Sequence, residues 1–315
     1  MSTTILVTGA CGYLGRLLTE ALAETKRPDE TILAADVVAP EVPIDGVEHL
    51  RCDVRDAALR ALMVERGVDV VVHLAAVVSP KPGQDEGFAH SVDVEGTRNV
   101  LEGCLACGAR KVIVTSSGAA YGYHADNDPL LTEDSPIRGN DAFAYSRHKR
   151  LVEEMLAQYR AAHPELGQLV FRLCTVLGPT VRNQITALFE RPVVMGLRDA
   201  ATPFCFVWDK DVLACLVAGA RGDQTGTYNL AGDGVMTLRE IALALGKRFV
   251  GVPSGLLEVA LGALKRFELT PYGPEQVAFL RYRPVLGNER LKRGFGYRPM
   301  RTSREVFALY QSARA

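Results

Sequence analysis

The sequence predicts an α/β protein: a doubly wound parallel sheet with a smaller, mostly helical lobe toward the C-terminus. Three observations predict it. Short runs of Val, Ile and Leu alternate with longer helical patterns through the first half of the chain. Those runs are apolar on both faces, as strands covered by helices on both sides must be. A glycine-spaced loop, TGACGYLG, joins the first run to the first helical pattern.

Taken in order, residues 5–8 read as a strand, 13–24 as a helix, 31–36 as a strand and 57–65 as a helix. A strand made almost entirely of Val follows at 68–74, then a helix at 92–107 and a strand at 111–116. A helix at 145–160 leads to a strand at 169–173. This strict β–α alternation is what gives a doubly wound sheet. Beyond 178 the pattern is less regular. Residues 211–220 read as a helix, and 226–230 as a short strand returning to the first sheet. A helix at 236–245 has Thr237 as its expected N-cap. Gly, Pro and Arg crowd the segment 250–300. The expected division is a dinucleotide-binding domain at 1–178, with a return near 206–231, and a substrate lobe at 179–315.

A chain of 315 residues has room for a substantial core. Its formal net charge of −1 offers no basic excess to drive binding to nucleic acid or an anionic membrane. A small-molecule partner is therefore expected. No charged leader precedes the first strand, and the longest apolar run, 255–264, is too short to span a bilayer and contains Glu258. The cytoplasm is the expected location. Seven scattered cysteines read as reduced thiols, not a disulfide framework. Cys104 and Cys107 form one CxxC with no second pair, so they are expected to pack in a buried helix and not to hold a metal.

In the glycine loop, Gly9, Gly12 and Gly15 are spaced by three, after a strand and before a helix. Glycines there allow a tight turn and a close approach of backbone to a pyrophosphate, and the helix N-terminus offers N–H groups and partial positive charge. The expected ligand is a dinucleotide in a Rossmann-like fold. Asp36 ends the second strand twenty-one residues after Gly15. A carboxylate there accepts hydrogen bonds from ribose hydroxyls and repels a 2′-phosphate, which selects NAD over NADP.

Tyr145 and Lys149 stand four apart in YSRHK, on one face of a helix. A free phenol, with a pKa near 10, is a poor base at neutral pH. An ammonium one turn away stabilises the phenolate, which can then take a proton from an alcohol while hydride leaves its carbon. Ser117 lies at the carboxyl end of the fourth strand, where parallel sheets border their ligands. It is expected to orient the alcohol oxygen.

Further motifs accompany these: Cys52-Asp53-Val54 on the adenine side, His73-Leu74-Ala75-Ala76 at the end of the Val-rich strand, and Arg172 to Pro179 as RxxxxxGP. The chain ends with Arg290-Leu291-Lys292-Arg293-Gly294-Phe295-Gly296-Tyr297-Arg298-Pro299. Together they resemble the extended short-chain dehydrogenase/reductase family, also called NAD-dependent epimerase/dehydratases, over nearly the whole chain. The resemblance implies NAD as cofactor, a catalytic Ser117, Tyr145 and Lys149, and a homodimer. It implies cofactor contacts at Gly9, Gly12, Tyr13, Leu14, Gly15 and Asp36 along the first two strands. Asp53, Val54, Leu74, Ala75, Ala76 and Leu173 follow, with Tyr145 and Lys149 again. Ser79, Thr175 and His124 are the implied substrate contacts.

The departures bear on substrate. Thr175 stands where nucleotide-sugar members carry Asn, and Phe204 and Cys205 precede Phe206-Val207-Trp208-Asp209 where an Arg is usual. Arg281 or Arg283 is left as a replacement clamp on an anionic substrate. Gly118 and Ala119, after Ser117, cannot supply the carboxylates that dehydratases use there. Asp93 replaces the family's Asn before Glu95-Gly96-Thr97. Of the remaining residues, His73 is expected to pack within its strand and His148 to face solvent. Phe204, Phe206 and Trp208 are expected to form core. The expected reaction is NAD-dependent oxidation of a secondary alcohol on a sugar-like or sugar-acid substrate, as an epimerase or a dehydrogenase. A UDP-sugar 4-epimerase is the alternative. A non-catalytic NAD-binding regulator would not need Ser117, Tyr145 and Lys149.

Overall fold

A computed structural model of the chain describes residues 2–78, 84–267 and 273–314. Its main sheet has seven strands in the order Gly226–Leu230, Gly167–Leu173, Lys111–Ser117, Val70–His73, Thr3–Thr8, Glu30–Asp36 and Glu48–Arg51. The register is parallel, with Thr8 beside both Ala35 and His73, and His73 beside Val114. Strand order reverses between Thr3–Thr8 and Val70–His73. Ligands of open α/β sheets bind at such a reversal, outside the carboxyl ends of the strands.

The described residues form two compact units. The first comprises Met1–Ser117, His148–Arg172 and Asp209–Tyr228. The second comprises Gly118–Arg147, Leu173–Trp208 and Asn229–Ala315. This differs from a boundary at 178: Gly118–Arg147 belongs to the second unit, and the returning segment is Asp209–Tyr228.

In the first unit, Leu6, Leu33, Val71, Val112 and Val170 from five strands pack with Leu101 and Leu156 from the helices Gly96–Cys107 and Ala144–Ala162. Each such side chain contributes about 1.5–3 kcal/mol on burial. The strand Glu48–Arg51 is absent from the sequence reading because EHLR has no apolar alternation. The expected helix at 92–107 begins earlier. A helix starts at Glu86 and passes through a π-helical stretch, Ser91–Glu95, into Gly96–Cys107. Cys104 is fully buried, whereas Cys107 is partly exposed and donates to Val68 O at 3.4 Å. Lys111 is 2 % exposed, and its Nζ donates to the carbonyls of Gly219 and Gly222 at the end of the helix Asp209–Arg221. Burial holds this amine down at about 8, and the terminal carbonyls satisfy it.

The second unit contains three two-stranded sheets: Thr175–Leu177 with Phe206–Trp208, Pro203–Phe204 with Met236–Thr237, and Val193–Leu197 with Arg248–Val252. Its core is aromatic. Phe189 meets Phe204, Phe206, Phe307 and Tyr310 edge-on, with centroids 5.7–6.2 Å apart. Thr237 caps the helix Leu238–Ala244 as expected, with Glu240 closing the capping box.

Within the first unit, Arg172 and Glu153 form a bidentate pair at 2.8 and 2.9 Å, each side chain less than a tenth exposed. Removing the Glu153 carboxylate takes the bidentate partner from a buried guanidinium. Glu153→Ala is expected to lower stability by about 3–5 kcal/mol, read as a shift of the urea unfolding midpoint.

Candidate functional site

The first unit carries the glycine loop between the strand Thr3–Thr8 and the helix Tyr13–Glu24. Gly9 has φ +69°, and a Cβ there would lie 2.6 Å from Ala75 N. A Cβ at Gly15 would lie 2.0 Å from Gly9 O. These two positions bring loop, helix and the chain at Leu74–Ala75 into backbone contact. Gly12 differs: it is the N-cap, makes no side-chain cap, and a Cβ there would meet only Gly9 O, at 3.2 Å. A side chain would fill the opening in front of the helix, so the loop fits a phosphate group approaching the N-terminus. Leu14 is half-buried, and the Tyr13 hydroxyl donates to Asp209 Oδ2 at 2.5 Å.

Asp36 secures the adjacent strand end. Its Oδ2 accepts from Cys11 N–H at 2.9 Å and its Oδ1 from Val38 N–H at 3.2 Å. A cavity of about 350 Å³ lies alongside, lined by Ala10, Cys11, Arg16, Val38 and His49 among others. Desolvation, followed by the Asp36 carboxylate, pushes the Cys11 thiol up despite Arg16. Asp53 is gripped by Arg55, whose guanidinium bonds hold its carboxyl below the usual range. Val54 is buried, and its carbonyl accepts from Asn99 Nδ2 at 2.7 Å. The same amide donates to Asp56 O at 2.8 Å. Asn99 therefore fixes the Asp53–Val54 turn, a role the sequence reading missed.

His73 is 3 % exposed between two hydroxyls, Thr8 Oγ1 at 2.8 Å from Nδ1 and Thr97 Oγ1 at 3.0 Å from Nε2. Thr97 gives its own hydrogen to Asp93 O at 2.6 Å. It must therefore accept from Nε2–H, and Nδ1 accepts from Thr8. This neutral tautomer satisfies both nitrogens. Desolvation, reinforced by Lys149, lowers His73 to about 4. His73 packs within its strand, as expected.

Lys149 is 7 % exposed, and Nζ donates to Thr115 O at 3.0 Å. Thr115 and Ser117 are the partly exposed positions at the end of their strand, with buried Ser116 between them. A void of about 10 Å³ is bounded by His73, Ala75, Asp93, Thr97 and Lys149 among others. His148 corrects the sequence reading. It is 1 % exposed, not solvated, because its Nδ1 lies 3.2 Å from Asp93 Oδ2 inside the unit. Asp93 Oδ1 accepts from Val77 N–H at 2.7 Å.

The second unit carries Tyr145, half-buried in the first turn of Ala144–Ala162. Ser146 ties that turn down, its hydroxyl donating to Ala119 O at 2.6 Å and accepting from Asn140 N–H at 3.0 Å. His124 is occupied within its own loop, where Nε2 is 2.7 Å from Arg138 O. Leu173 is buried at the end of its strand. Ser79 lies outside the described residues.

Thr175 Oγ1 is 3.4 Å from Arg283 Nη2. The Arg283 guanidinium stacks over Phe204 at 4.0 Å and Phe279 at 4.7 Å, while its Nε and Nη1 are buried without a hydrogen-bond partner among the described residues. Burial lowers its proton affinity, against the opposing pull of Tyr123, Cys205 and Cys174. Arg281 is instead engaged by Asp199 at 3.3 Å and Ser254 at 3.0 Å. Sequence could not tell these two arginines apart. Their partners do.

His73 makes the first unit's stability pH-dependent. Its folded value lies below the unfolded one, near 6.5, so the unfolded chain binds the extra proton between about 6.5 and about 4. Up to about 3 kcal/mol of stability, present above 6.5, is lost as pH falls through that window. Urea midpoints measured from pH 7 to 4 are expected to fall more steeply for wild type than for His73→Gln.

Residues 5–231 match the NAD dependent epimerase/dehydratase family. The chain is 28% identical over 311 residues to a UDP-glucose 4-epimerase of Mycolicibacterium smegmatis, covering 93% of each protein. It is 27% identical over 313 residues to the Mycobacterium tuberculosis protein Rv0501, covering 97% of this chain and 82% of that one. Among solved structures, the Thermus thermophilus UDP-glucose 4-epimerase in complex with NAD superposes with a TM-score of 0.75 at 24% identity, covering 99% of this chain and 98% of that one. At that identity the likeness concerns the fold. The match across most of the sequence, on a parallel sheet with a glycine cradle at its switch point, places this chain in the NAD-dependent epimerase/dehydratase family, with NAD as its cofactor.

Proposed function

We propose that the protein oxidises a secondary alcohol on a sugar-like or sugar-acid substrate, with Ser117, Tyr145 and Lys149 as its centre. The observation that supports this most directly is Lys149: a buried ammonium anchored on Thr115 O, one helical turn after Tyr145. Ser117 ends the strand that carries that carbonyl.

Bound NAD supplies the hydride acceptor. Gly9, Gly12, Tyr13, Leu14 and Gly15 would hold its pyrophosphate, and Asp36 its adenosine ribose. Asp53 and Val54 would hold the adenine, and Leu74, Ala75, Ala76 and Leu173 the nicotinamide. Tyr145 takes the alcohol proton as a phenolate stabilised by the Lys149 ammonium. Ser117 donates to the same oxygen and orients the carbon toward the acceptor. Whether the ketone leaves or is reduced again from its other face depends on its residence time, since both outcomes use the same residues.

Arg283 supports an anionic substrate. A buried guanidinium whose two nitrogens have no partner among the described residues is costly unless an anion completes it. The carboxylate of a sugar acid or the diphosphate of a UDP-sugar meets that need, with Thr175 beside it. This keeps the UDP-sugar 4-epimerase reading as the second one. A homodimer in the cytoplasm completes the proposal.

With a panel of sugar acids, polyols and nucleotide sugars plus NAD, Tyr145→Phe is expected to lower turnover at least about 100-fold, with NAD binding retained. Undiminished turnover in that variant would sink the mechanism and favour a different base. Arg283→Lys is expected to raise KM for the anionic substrate about tenfold with kcat little changed, because a point charge replaces a planar fork.

A further inference from the structure

Asp93 lies in the π-helical stretch Ser91–Glu95, a local irregularity that recurs at functional positions. It is 4 % exposed, yet it is placed at a junction: Oδ1 holds the Val77 amide, and Oδ2 holds His148, the neighbour of Lys149. His148 donates Nδ1–H to that carboxylate. Its Nε2 is enclosed without a partner, beside the edge-on ring of His90 at 5.4 Å. Among the described residues no acceptor lies beside this nitrogen. Asp93 and Lys149 face the same small void, and His73 feels both, Lys149 lowering and Asp93 raising its proton affinity.

We propose that Asp93 is an electrostatic selector for the oxidised dinucleotide. The inference rests on the proposed function, which puts the segment after Val70–His73 beside the nicotinamide. That ring is cationic in NAD+ and neutral in NADH. The Lys149 ammonium alone disfavours the cationic form. A carboxylate fixed on Val77 N–H opposes it. Asparagine keeps the shape and the acceptor for Val77 N–H but removes the charge, and its amide bonds His148 only in the other ring tautomer. A unit charge within about 10 Å of another changes an equilibrium roughly tenfold at an effective dielectric of about 20.

The test is isothermal titration of dinucleotide-free protein with NAD+ and with NADH at fixed ionic strength. Asp93→Asn is expected to shift the ratio of dissociation constants toward NADH by about five- to tenfold. His148→Gln keeps the carboxylate and is expected to stay within about twofold of wild type. An unchanged ratio in Asp93→Asn, or an equal shift in His148→Gln, overturns the selector. If Asp93→Asn does not fold, Asp93→Glu answers the question: a preserved preference for NAD+ supports the inference, and parity with loss of preference overturns it. Wild-type protein that binds neither nucleotide overturns the proposed function itself, whereas normal binding with an unmoved ratio overturns only the selector.

Discussion

The constraint on which the candidate site depends is the absence of space at Gly9 and Gly15. Three stretches of backbone meet there: the loop, the first turn of Tyr13–Glu24, and the chain leaving Val70–His73 at Leu74–Ala75. A single methyl group at Gly15 would sit 2.0 Å from a carbonyl oxygen of the loop. Interiors cannot absorb such an overlap without moving whole elements. Because backbone lies directly on backbone, the helix N-terminus and the strand end hold a fixed relation that no side-chain rotamer can alter. The dinucleotide family's geometry is thus set by a lack of atoms.

Around that contact, polar groups do the aligning. Thr8, His73, Thr97 and the Asp93 carbonyl form a hydrogen-bonded line from one strand to the next and on to the helical layer. Each donor meets one acceptor, which is why a buried imidazole is tolerated there. A charged ring would break the pattern, since Thr8 would face a second donor. Asp36 and Asn99 act similarly at the neighbouring loops, where each spans two backbone groups. The loops that border the candidate cofactor site are therefore fastened by side chains, not by sheet pairing.

Much of this was legible in the sequence. The Val-rich strands and the glycine spacing are local signals, and the sheet and its switch point follow from them. Other features depend on distant partners. His148 reads as solvated because it projects from a different face than Tyr145, yet Leu151, Val152 and Met155 share that face and pack in the core, and its Nδ1 meets Asp93, fifty-five positions away. The helix from Glu86 was shortened in the reading because a π-helical turn breaks the 3.6-residue period. The two- to five-residue strands of the second unit are too short to show alternation. Arg281 and Arg283 are equivalent as letters, and distant partners separate them: Asp199 and Ser254 for one, Phe204 and Phe279 for the other.

The route of the chain has a consequence for its synthesis. It passes from one compact unit to the other after Ser117, Arg147, Arg172, Trp208 and Tyr228. The outermost strand on one side of the sheet, Gly226–Leu230, is also the last to be translated. Until it emerges from the ribosome, Gly167–Leu173 presents an open edge of amides and carbonyls, a template for any passing strand. At ordinary elongation rates that interval lasts about 3–10 s. The nascent polypeptide is then most open to pairing with a foreign chain, and the arrival of residue 230 ends the exposure.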